Sequence, residues 1–89
     1  MEKKERIYQL YHNKELGIIK IEPLKSHFNK DTHLINAINE LPEGEVKYYN
    51  QNYEFSKDRK ALKKVALEMK EAWVTEAREL LEKFEAIKV

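Results

Sequence analysis

The chain has no cysteine, two glycines (Gly17 and Gly44) and two prolines (Pro23 and Pro42). Without cysteine there is neither a disulfide framework nor a thiolate metal site. Two isolated glycines cannot build a phosphate-cradling loop or a dinucleotide-binding fingerprint. No run approaches the roughly 18 apolar residues that a bilayer crossing needs, and the start, Met1 to Arg6, lacks the apolar block of a signal peptide. Neither sign of charge dominates. The 17 Lys+Arg stand against 16 Asp+Glu, a formal +1 that gives no bulk attraction to nucleic acid or membrane. These absences set the expectation of a cytoplasmic protein with no membrane contact, no cofactor and no metal.

What is present fits one small domain, since 89 residues lie just below the usual size of about 100–150. With 42% apolar and 37% charged residues, the chain is too apolar for disorder. It contains no internal repeat and no low-complexity tract.

The clearest pattern follows the last breakers, Pro42 and Gly44. Leu62, Ala66, Met69, Trp73, Ala77, Leu80, Phe84 and Ile87 recur three or four residues apart, which is the helical period. The spacing predicts one helix over 57–87, capped by the Ser56 hydroxyl, with Asp58 in the first turn. Arg59 at the third helical position excludes a capping box. Such a helix would span about 46 Å, whereas a compact chain of this length is roughly 30 Å across. One end must therefore project. Leu67, Val74 and Leu81 add a second apolar row beside the main one, and the preceding residues are too few to cover both. A second copy of the helix would cover the remainder, so a homodimer is expected, with Leu67, Trp73, Val74, Leu81 and Phe84 as its interface.

Charge along this helix is uneven. Residues 57–70 hold six bases against two acids, and residues 71–89 hold three bases against five acids. The helix dipole favours the reverse order. An antiparallel partner helix, an anionic ligand at 57–64, or a merely solvated face would each account for it.

The first half reads as short elements. Residues 2–12 place Ile7, Leu10 and Tyr11 on one side of a short helix. Gly17 to Glu22 is β-branched and ended by Pro23, a strand or extended connector, and Pro23 also suits the first turn of a helix that buries Leu24 and Phe28. Asp31 or Thr32 caps a helix over 32–41 with Leu34, Ile38 and Leu41 inside. Residues 45–49 and 53–56 flank Asn50-Gln51-Asn52 as a hairpin.

From Leu24 to Phe55 this order resembles a winged helix-turn-helix domain. Residues 23–28 would be the first helix of the motif, 32–41 the groove-reading helix and 45–56 the wing. The run Tyr53-Glu54-Phe55-Ser56-Lys57-Asp58-Arg59-Lys60-Ala61-Leu62 is similar to the wing exit of PadR-like regulators, which leads into a dimerising C-terminal helix. Arg59 stands where that family commonly has glycine, and the turn between the core helices is about one residue short. The resemblance implies an α+β, mostly helical fold: a winged-helix-like part at 1–56 and a long helix at 57–89 packing on it and on a partner copy. It also implies duplex DNA as ligand. Thr32, His33, Asn36 and Asn39 would then read base edges, with Lys25, Lys30, Lys47, Lys57, Arg59, Lys60 and Lys64 on phosphates. Against this, residues 32–41 contain no Lys or Arg, and residues 23–56 hold three bases against five acids, which weakens counterion-driven binding.

No catalytic constellation emerges. Ser26 and Ser56 lack a nucleophile-elbow context, and His12, His27 and His33 miss the i, i+4 spacing of helical metal ligands. Tyr48, Tyr49 and Tyr53, with Lys47 and Lys57 nearby, form an aromatic surface that could stack on single-stranded bases or pack on the long helix. The sequence thus points to a non-catalytic, dimeric DNA-binding transcriptional regulator. The alternative is a protein–protein modulator of mobile-element or phage type, acting through the aromatic hairpin or the long helix.

Overall fold

The computed structural model describes residues 6–88. The element order is β1 (Tyr8–Asn13), β2 (Ile18–Pro23), α1 (Ser26–Asn29), α2 (Thr32–Asn39), β3 (Lys47–Asn50), β4 (Tyr53–Ser56) and α3 (Arg59–Glu85). The fold is α+β: a four-stranded antiparallel sheet in the order β2-β1-β4-β3, followed by the long helix.

Two hairpins build the sheet. The first turns at Gly17, whose φ of 67° is accessible to glycine at little cost. There Asn13 Oδ1 accepts from the Leu16 amide at 3.2 Å, closing the turn. The second turns at Gln51-Asn52, where Asn50 Oδ1 accepts from the amides of Asn52 and Tyr53. The hairpins join through β1 and β4. Asn52 fastens the end of that seam, exchanging two 2.9 Å hydrogen bonds with the His12 backbone.

Alternation along the strands divides the side chains between two layers. Gln9, Tyr11, Tyr53 and Phe55 share one face, by their pairing in register. On it the helical pair α1/α2 places Phe28, Leu34 and Ile38, which cluster with Phe55 and with the partly buried Ile7, Leu24 and Tyr53. The other face carries Leu10, His12, Ile19, Ile21 and Glu54. Helix α3 lies across β4, β1 and β2, with Leu62 fully buried and Val65, Ala66, Met69 and Trp73 half-buried. The sheet is therefore sandwiched between the α1/α2 pair and the first half of α3.

Several sequence expectations change. The helix expected at 2–12 is instead strand β1 from Tyr8 onward, and residues 2–5 lie outside the described residues. Because β1 is an inner strand with both faces covered, Gln9 and Leu10 are buried in succession. The result is an apolar pattern without clean alternation. Pro23 ends β2, as its place after the β-branched run predicts, but opens no helix: α1 starts at Ser26 and is only one turn. Asp31 does cap α2, its Oδ1 accepting from the Leu34 amide at 3.1 Å. The cap of α3 is Asp58, which accepts from the Lys60 amide at 2.9 Å, and not Ser56. The winged-helix order is not confirmed, because its leading helix is a strand, its first motif helix is a single turn and its wing belongs to a four-stranded sheet.

The expected projection is present. Helix α3 measures about 40 Å, and the molecule extends 68 × 22 × 18 Å with a radius of gyration of 17.0 Å. A compact chain of this length would have a radius near 12 Å.

Candidate functional site: the projecting helix and its basic root

Beyond Trp73, every described residue of the chain is exposed. Some of these are large and apolar: Val74 (41% exposed), Leu80, Leu81 (56%), Phe84 (59%) and Ile87. Leu67, at 52%, begins the same exposed row alongside the sheet-covered part. Expected interface residues Leu67, Val74, Leu81 and Phe84 therefore stand open in the single chain, whereas Trp73 is half-covered where the helix leaves the sheet. The last tie from the sheet to the helix is an exposed ion pair between Lys14, in the β1–β2 turn, and Glu76. Leu16 in that same turn is 66% exposed.

The basic candidates are gathered only in part. The Lys57 ammonium donates to the Asn39 carbonyl at 2.9 Å, joining the end of α2 to the root of α3. Arg6, Lys57, Arg59 and Lys60 line an open concavity there, together with Glu43, Glu45 and Asp58, so acids dilute the positive field. Lys64 is exposed one turn further along α3. Thr32, His33, Asn36 and Asn39 are all exposed on α2. Lys25 and Lys30 bracket α1. The amide of Lys25 donates to the buried Gln9 Oε1 at 3.1 Å, and its ammonium lies 3.9 Å from Glu22. Lys47 sits half-buried on β3.

The tyrosines do not form one surface. Alternation along β3 turns the neighbours Tyr48 and Tyr49 to opposite faces of the sheet, with a register irregularity following between Tyr48 and Asn50. Tyr48 pairs with Glu54 on the α3 side of the sheet and is 64% exposed. Tyr49 packs edge-on against Phe28 and Phe55, with ring centroids 5.8 and 5.4 Å away. Tyr53 contacts Tyr11 and Phe28 at 5.2 and 5.1 Å. Tyr53 thus packs on the core, while Tyr49 touches its edge and stays 44% exposed.

Among the described residues, no three His, Asp or Glu side chains gather as metal ligands, and no helix is long and apolar enough to cross a membrane. The polar pair His12–Glu54 on the sheet face that α3 covers is not legible in the sequence. Its two members are 42 positions apart, and only the β1–β4 register brings them together. Compared with known proteins, the chain matches no protein-family model, no curated protein and no solved structure.

Proposed function

We propose that this is a small non-catalytic regulatory module that binds another macromolecule through the outer half of α3, with the sheet and α1/α2 as its mount. One observation carries the reading: the helix keeps its apolar period for about three turns past the last sheet residue that could cover it. A monomeric helix end has no use for Leu80, Leu81 and Phe84 in water, and contiguous apolar surface of this kind marks interaction sites. Substituting Phe84→Asp removes apolar surface where nothing in the chain packs. Capture of macromolecules by the tagged full chain, with and without nuclease, should therefore fall in that variant while its unfolding midpoint as a dilute monomer stays unchanged. Equal capture by both proteins, with no self-association of the unmodified chain, would remove the reading.

A second reading, duplex DNA as partner, is favoured by one observation, the meeting of Arg6, Lys57, Arg59 and Lys60 at the root of α3. In a dimeric transcriptional regulator this root would lie on phosphates. Nuclease-sensitive capture, lost at high salt, would support it.

A further inference from the structure

We infer that the occupant of the outer α3 surface is α3 of a second copy, running antiparallel about a two-fold axis beside Val74. The inference rests on the reading of this surface as a binding site and names its partner. Three observations on the helix converge.

The first is spacing. Leu67, Val74 and Leu81 lie seven residues apart and form one row with its middle at Val74. An isologous antiparallel contact maps such a row onto itself: Leu67 meets Leu81 of the partner subunit, and Val74 meets its own copy.

The second is charge. The antiparallel arrangement lays the acidic stretch 71–89, three bases against five acids, along the basic stretch 57–70, six against two. A parallel pair would set each stretch beside its like. The order of charges opposes the helix dipole within one chain, and a reversed neighbour gives it a purpose.

The third is place. Apolar exposure begins beside the sheet-covered part of the helix, at Leu67, and continues to its end, so the row is open along its whole length. A parallel pair would also bring two bodies, each built on the first half of its helix, to the same end.

Because the chain lacks cysteine, single-cysteine variants of the full protein test this directly. Leu67 and Leu81 are about 21 Å apart along the axis, far beyond disulfide reach. Mixed Leu67→Cys and Leu81→Cys proteins should form the mixed disulfide, while Leu81→Cys alone should not cross-link. Sedimentation of the unmodified chain at tens of micromolar should show a dimer. Its dissociation constant should rise several-fold between about 0.05 and about 0.5 M NaCl, as screening weakens the paired charges. Leu81→Asp should raise it about 100-fold, since each dimer holds two copies of the change. Cross-linking of Leu81→Cys to itself, with a dimer that tightens in salt, would overturn the antiparallel arrangement. A monomer at all concentrations would overturn the second copy altogether, and binding of that monomer to phosphatidylcholine vesicles would assign the face to lipid instead. The wider binding-site reading survives a monomer if the unmodified chain, but not Phe84→Asp, captures another macromolecule, and it falls if neither does.

Discussion

Nε2 of His12 lies 3.3 Å from Oε2 of Glu54, on the sheet face that α3 covers, with the two side chains only 12% and 16% exposed. The approach is close enough for an ion pair but is not aligned as a hydrogen bond. Removing one member of such a pair leaves the other in a mostly water-excluded site without its nearest polar neighbour, which costs more than removing both. Glu54→Ala and His12→Ala should each lower unfolding stability by about 1–2 kcal/mol. The double variant His12→Ala/Glu54→Ala should lose less than the sum. Urea unfolding of the four proteins closes the cycle, and strict additivity would show that the pair is not coupled.

The α1/α2 side of the sheet depends on Phe28, whose ring centroid lies 5.0 Å from Phe55 and 5.1 Å from Tyr53 in edge-on contacts. Phe28→Ala should cost about 3–4 kcal/mol, a large part of the 5–15 kcal/mol typical of a domain. Tyr48→Ala, on the exposed ring, should change stability by less than about 0.5 kcal/mol. Thermal unfolding of both variants checks the contrast. A large loss for Tyr48→Ala would mean that the hairpin packs differently.

At the root of α3 two residues share the work that the sequence assigns to one. Asp58 caps the helix, and the buried Ser56 hydroxyl donates to the Glu45 carbonyl at 2.7 Å while accepting from the Asp58 amide at 3.0 Å. Asp58→Ala should cost about 1 kcal/mol. Ser56→Ala strands a carbonyl and an amide and should cost about 1–2 kcal/mol. Chemical denaturation measures both, and an unchanged midpoint for Ser56→Ala would contradict the bridging role.

The sequence reveals α3 because its signal is local: no breaker follows Gly44, and the apolar residues keep one period to the end. The Asp31 cap, strand β2 and the β3–β4 hairpin are legible for the same reason. Strand β1 is not. Ile7, Leu10 and Tyr11 have helical spacing, and what makes the segment a strand is pairing with β4, more than 40 positions away, and with β2 beyond Gly17. That pairing also creates the His12–Glu54 contact, which no local pattern could disclose, whereas the opposite facing of Tyr48 and Tyr49 follows from strand alternation alone. The winged-helix resemblance rests on element order and on the run 53–62, both local, and neither carries the sheet pairing that makes residues 8–13 a strand and ties the hairpin into a four-stranded sheet.

The DNA reading makes its own forecast. If the root of α3 lies on phosphates, reversing Arg59 and Lys60 to glutamate should abolish retardation of duplex fragments and leave dimerisation weakened but present. Retardation unchanged by the reversal would exclude this root as the contact.

Amide hydrogen exchange along α3 tests the central claim most directly. Residues 75–86 have few tertiary contacts within the chain, and a helical stretch that short is marginal in water on its own. Their amides should exchange almost freely in dilute solution and become protected, together with Leu67 and Val74, as concentration rises through the dimer range. Free exchange at every concentration, or protection that ignores concentration, would contradict a helix whose outer half is sheltered by a second copy.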